Sequence, residues 1–157
     1  MKNQKGFSLI ELLLVVGVIL IISAIAVPSF LRSRMRANEA AAVAAIRTID
    51  AAAVTYSVSY PDLGFPTNLT SLGGADPCTA STTTACLVED TIAQGAKSGY
   101  TFVWVGDGAT PSVSFTVTGA PLTAGSTGQS MYCSDQTAMI HLEFSGSGCT
   151  NASPVLQ

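Results

Sequence analysis

The sequence predicts an α+β protein: one long N-terminal helix, apolar in its first half and amphipathic in its second, packed against an antiparallel sheet of about four strands. The first sign is Leu12 to Leu31, a run of 20 residues without a charge, long enough to cross a bilayer as a helix. The second is a stripe of apolar residues at spacings of three, four or seven that continues to Tyr56. The third is a set of short alternating stretches beyond Tyr100, separated by turn residues. A chain of 157 residues with 48% hydrophobic residues carries more apolar side chain than one small soluble domain needs, and the excess lies in the N-terminal run.

Met1 to Gly6 is short and polar with Lys2 and Lys5, and it leads into Phe7-Ser8-Leu9-Ile10-Glu11-Leu12-Leu13-Leu14, apolar except for Glu11. A carboxylate early in a membrane-length helix is costly in hydrocarbon, so it is expected to have a role or a partner. Two plainer readings compete. Ala24-Ile25-Ala26 fits the small-x-small pattern of a signal-peptidase site, and cleavage there would release a soluble binding domain starting near Val27. The run could equally serve as a single-pass anchor for such a domain. Against cleavage there, Glu11 sits early in the apolar region and the helical pattern continues past the candidate site.

The block Lys5-Gly6-Phe7-Ser8-Leu9-Ile10-Glu11-Leu12 closely resembles the processing site of type IV prepilins and of type II secretion pseudopilins, and the likeness continues through Pro28. It covers about the first third of the chain. The resemblance implies a pilin fold, cleavage of the 1–6 leader after Gly6 by prepilin peptidase, and methylation of the new Phe7 amine. It also implies polymerisation of copies through the N-terminal helix, with Phe7, Glu11 and Pro28 as assembly residues. Glu11 lies four residues after Phe7, on roughly the same helical face, and in a low-dielectric filament core a neighbour's amine would attract it more strongly than in water. Losing the leader would leave five basic residues against ten acidic ones. Three arginines after the run outnumber the two lysines before it, so the positive-inside rule alone would not put the leader in the cytoplasm. The resemblance puts it there.

The domains expected are therefore the leader 1–6, a membrane and filament-core helix 7–31, its amphipathic continuation 32–56, and a globular head 57–157. In the continuation, Leu31, Met35, Ala42, Ile46, Ile49, Ala53 and Tyr56 form the stripe, while Arg32, Arg36, Arg47 and Asp50 lie mostly off it. One helix from Phe7 to about Tyr56 would be about 75 Å long. Pro28 lacks a backbone donor and predicts a kink or local melting. The bland role for Arg32, Arg34 and Arg36 is a membrane-surface anchor.

In the head, Tyr60-Pro61-Asp62-Leu63-Gly64-Phe65-Pro66 ends the helix and opens a loop region, 57–98, with a short helix near Leu87 to Ala93. The sheet region, 99–149, holds strands at Tyr100 to Val105, around Val113 to Val117, at Ser130 to Ser134 and at Ala138 to Phe144. Gly106 to Pro111 would join the first two as a hairpin. Four cysteines, Cys78, Cys86, Cys133 and Cys149, show no metal-site spacing and read as two disulfides. Cys78 with Cys86 and Cys133 with Cys149 is the preferred pairing among three connectivities. The resemblance makes the region bounded by Cys133 and Cys149 a surface-exposed part of the filament.

Enzymatic chemistry is not expected. His141, the one histidine, is expected to face solvent beside Glu143, while Ile140, Leu142 and Phe144 point inward. No second histidine completes a nucleophilic triad. Gly95-Ala96-Lys97-Ser98-Gly99 lacks the spacing of a phosphate loop and precedes a strand. Asp107, Gly108 and Asp135 offer too few oxygens for a convincing calcium site, and with one basic residue beyond Arg47 the head has no nucleic-acid footprint. No cofactor or metal is expected.

The expected function is a structural subunit of a type IV pilus serving adhesion, twitching motility or DNA uptake. A type II secretion pseudopilin is the alternative within the family. The expected partners are copies of the chain, prepilin peptidase, the pilus assembly machinery and, before assembly, the inner membrane. The expected locations are the inner membrane for the precursor and subunit pool, and the cell surface for the assembled pilus.

Overall fold

The computed structural model describes residues 7–144 and 148–156. It divides into two compact units, 1–34 and 35–157, and each is taken by itself.

In the first unit, helix α1 (Leu9–Ser59) begins. The carbonyl of Ser8 accepts from the N–H groups of Glu11 (3.1 Å) and Leu12 (3.2 Å), closing the first turn. The side chains from Phe7 to Leu31 are almost all exposed: Leu9, Leu20 and Ile25 are 81%, 64% and 74% accessible. An apolar helix with no buried face has not met its packing partner within its own unit. The helix runs through Pro28 without interruption, so the melting expected there is absent. Proline removes one donor, the one that would reach the carbonyl of Ala24, and the flanking turns keep their own.

The second unit starts with the last part of α1, which extends to Ser59 before Pro61 stops it. Its buried face is Ala42, Ala45, Ile46, Ile49, Ala52, Ala53 and Tyr56, the helical spacing read from sequence with two further alanines. Against it lies a five-stranded antiparallel meander: β1 (Ala96–Lys97), β2 (Tyr100–Gly106), β3 (Phe115–Pro121), β4 (Met131–Asp135) and β5 (His141–Glu143). The first of these is a two-residue strand that extends the expected sheet at one edge. Tyr100 and Phe102 on β2 and Phe115 and Val117 on β3 are buried, whereas Val103 and Val105 face out at 58% and 59% accessible. Gly119 on β3 lets helix and sheet approach closely: a Cβ there would sit 3.1 Å from the Phe102 ring and 3.2 Å from Ile46 Cδ1.

The strand expected around Val113 to Val117 begins two residues later and ends at Pro121. The cause is Asp107. Its carboxylate accepts from the N–H groups of Ala109 (3.0 Å), Val113 (2.9 Å) and Ser114 (3.0 Å), so the chain up to Ser114 is held as a capped loop and Val113 is 70% exposed.

The connecting region 60–98 is tied to this core at named points. Trp104 donates from Nε1 to the Pro66 carbonyl (3.0 Å) and stacks on Phe115 at 4.3 Å, with Phe65 edge-on to the same ring at 4.9 Å. A 3-10 turn at Leu69–Leu72 is capped by Asn68, whose Oδ1 accepts from the Ser71 N–H. The short helix α2 covers Asp90–Ala93. Tyr56 on α1 donates its hydroxyl to the Thr82 carbonyl (2.6 Å) in the Ser/Thr-rich loop. That loop is closed by the Cys78–Cys86 disulfide.

Candidate functional site

The N-terminal segment places a carboxylate on a bare apolar helix. Glu11 lies in the first turn of α1 and is exposed. There it complements the positive end of the helix dipole. Among the described residues its carboxylate has no ion-pair or hydrogen-bond partner. Phe7 precedes the helix and is 77% accessible. Gly6 and the leader, with Lys2 and Lys5, lie outside the described residues.

The head holds an acid that the apolar stripe did not reveal. Asp50 was expected off the stripe, yet it is 4% accessible. It follows Ile46 by four residues and precedes Ala53 by three, so the same helical geometry that buries them turns it towards β4. There Ser134, fully buried on β4, donates its hydroxyl to Asp50 Oδ2 at 2.8 Å. Asp50 Oδ1 is buried without a hydrogen-bond partner among the described residues. Burial pushes its carboxyl up to about 6; the Ser134 hydroxyl opposes that shift and the Asp135 charge adds to it.

At the far edge of the sheet, Cys133 on β4 is bonded to Cys149. That bond holds the C-terminal segment beside β5, where Leu142 N–H donates to the Pro154 carbonyl (2.8 Å) and Leu156 N–H to Ile140 (2.8 Å). The expected orientation of His141 is overturned by this return of the chain. His141 is 6% accessible and its Nδ1 lies 2.7 Å from the Ser153 carbonyl, while Phe144, expected inward, is 70% exposed. Two-residue alternation cannot tell inside from outside when a later segment covers the strand's outer side.

A cleft of about 290 Å³ opens between the Asp107 loop and the β4–β5 turn, lined by Ser114, Gln136 and Asn151 among others. Its two carboxylates are already committed. Asp107 caps its loop, and those N–H donors, Val113 foremost, hold its carboxyl well below the usual range. Asp135 accepts from Thr137 N (2.8 Å) and Oγ1 (2.6 Å) and from Asn151 Nδ2 (2.5 Å). Among the described residues no three His, Cys, Asp or Glu side chains gather as a metal cluster. Lys97, in the stretch compared with a phosphate loop, pairs with Glu89.

The features with a common logic are thus an exposed apolar helix, an unpartnered acid in its first turn, and a disulfide-closed α+β head. That combination is similar to the pilin fold. Residues 1–27 match the family described as the prokaryotic N-terminal methylation motif. Over 39 residues the chain is 51% identical to the type IV wide pilus major component PilA4 of Thermus thermophilus. Both matches support a likeness to the type IV pilins, carried by the N-terminal region. The match spans 25% of this chain and 30% of the relative, and does not extend over the head. No solved structure matches the chain.

Proposed function

We propose that this chain is a subunit of a type IV pilus. It is made with the leader 1–6, cut after Gly6, methylated at the Phe7 amine, and polymerised through α1 into a surface filament used in adhesion, twitching motility or DNA uptake. The observation that carries the reading is the coincidence, within residues 1–27, of the methylation motif with a helix whose apolar surface is exposed all round. Such a surface needs lipid before assembly and other copies of itself afterwards. The inner membrane is the waiting place, and prepilin peptidase and the assembly machinery are the partners on the way out. Glu11, without a cation partner among the described residues, then finds one in a neighbour's Phe7 amine. The domain limits proposed are 1–6, 7–31, 32–56 and 57–157, with the head outermost and its Cys78–Cys86 and Cys133–Cys149 loops on the filament surface.

The test is intact mass and N-terminal sequencing of protein from sheared surface material and, separately, from membranes. An N-methylated Phe7 in the sheared fraction is expected. The same terminus confined to the envelope would argue against a surface pilus, and a start at Val27 would end the filament reading.

A further inference from the structure

We propose that Arg32 and Arg34 each bind the phosphate of an anionic phospholipid and that the two contacts hold the unassembled subunit at a fixed depth in the membrane. The inference rests on the reading of α1 as membrane-spanning before assembly.

The uncharged run Leu12 to Leu31 is 20 residues, about 30 Å as helix, which is the thickness of a bilayer's hydrocarbon core. Arg32 is the first charge beyond it, so the two arginines fall at headgroup level when the run is immersed. Two residues apart on a helix means about 200° around its axis, so the guanidinium groups leave on opposite sides. A protein docking from one side would meet one of them. A lipid layer encircles the helix and meets both.

Side-chain direction points the same way. Long side chains on a helix lean towards its N-terminus, and the Arg34 guanidinium lies 5.6 Å over the ring of Phe30, turned back towards the apolar run. An aromatic ring under a cation at this boundary suits the interface, where one part is apolar and the other wet. Among the described residues neither arginine is paired with a carboxylate. From Leu12 to Asn38 there is no acidic residue, and among the described residues the ion pair present is Lys97 with Glu89, elsewhere. Guanidinium groups left exposed beside a membrane surface match phosphate in charge and in bidentate geometry.

The experiment uses the full-length chain reconstituted in phosphatidylcholine vesicles carrying a trace of spin-labelled phosphatidylglycerol or spin-labelled phosphatidylcholine. The fraction of each probe immobilised at the protein is read by electron paramagnetic resonance. The expected result is a preference for phosphatidylglycerol of about fivefold or more, from the charge of each arginine near the surface. It should shrink as salt is raised, vanish in the Arg32→Gln/Arg34→Gln double variant, and return with lysine at both positions. Equal immobilisation of the two probes by the wild type would overturn the proposal, as would a preference unchanged in the glutamine variant. Alkaline carbonate extraction of the same vesicles separates the two claims. A chain that stays in the bilayer but shows no preference sinks the lipid site alone; one that is stripped off sinks the membrane-spanning reading with it.

Discussion

Asp50 and Asp107 are two carboxylates driven in opposite directions by their surroundings. Asp107 is held in its charged form by backbone N–H groups, so its contribution to stability is present above its unfolded value near pH 4 and lost on acidification below it. Asp50 is raised from 3.8 to about 6 by burial. Its stabilising contribution is complete below about pH 4 and disappears as pH rises through 6, because over that window the folded state keeps a proton that the unfolded state has released. A shift of this size corresponds to roughly 3 kcal/mol at neutral pH. Urea unfolding of the full chain in detergent should therefore show greater stability at pH 5 than at pH 7.5. Asp50→Asn should raise stability at pH 7.5 by about 1–3 kcal/mol and flatten the profile between pH 4 and 6; a profile that keeps its slope in the variant would assign the effect to other groups. Asp50 was hidden in the sequence because the polar partner that makes its burial tolerable, Ser134, lies 84 residues away.

At the level of helices and strands, legibility followed the range of the interactions. The helix was readable because its pattern is local: a charge-free run and then residues three or four apart. Strand β2 was readable for the same reason, with Tyr100, Phe102 and Trp104 on one side. The start of β3 was not, since it is set by one aspartate gathering N–H groups six and seven residues ahead. His141 was misjudged because its cover arrives from the C-terminal segment. Helix-to-sheet contact at Gly119 was equally invisible, although it is sensitive to change. A Cβ at Gly119 falls within 3.3 Å of Phe102 and Ile46. Gly119→Val should cost on the order of 1–3 kcal/mol by overpacking, read as a lower denaturant midpoint with an unchanged denaturant slope. A neutral result would mean that α1 and the sheet shift apart without penalty.

The whole molecule pairs a head that satisfies most of its own demands with a helix that satisfies few. Within the proposed function, that contrast predicts separable phenotypes. Glu11→Ala should leave precursor processing and head stability essentially unchanged while sheared filament yield falls sharply or disappears, measured by immunoblot of sheared and cell-bound fractions. Normal yield would remove Glu11 from the assembly mechanism. In the N-terminal region the helix and the methylation motif were legible because both patterns are contiguous, whereas the head, built from contacts between distant residues, gave up its class and strand positions but few of its partners. The C-terminal return along β5 has one more implication. An uncovered last strand would offer its free N–H and C=O groups to the matching strand of any neighbour, a hazard in the filament proposed above, where identical copies pack together. Pro154 and Leu156 occupy those groups, and the Cys133–Cys149 bond keeps them there. With Cys133 and Cys149 left reduced, the C-terminal segment would be free to leave β5, and that edge is where mispairing between copies of the chain would begin.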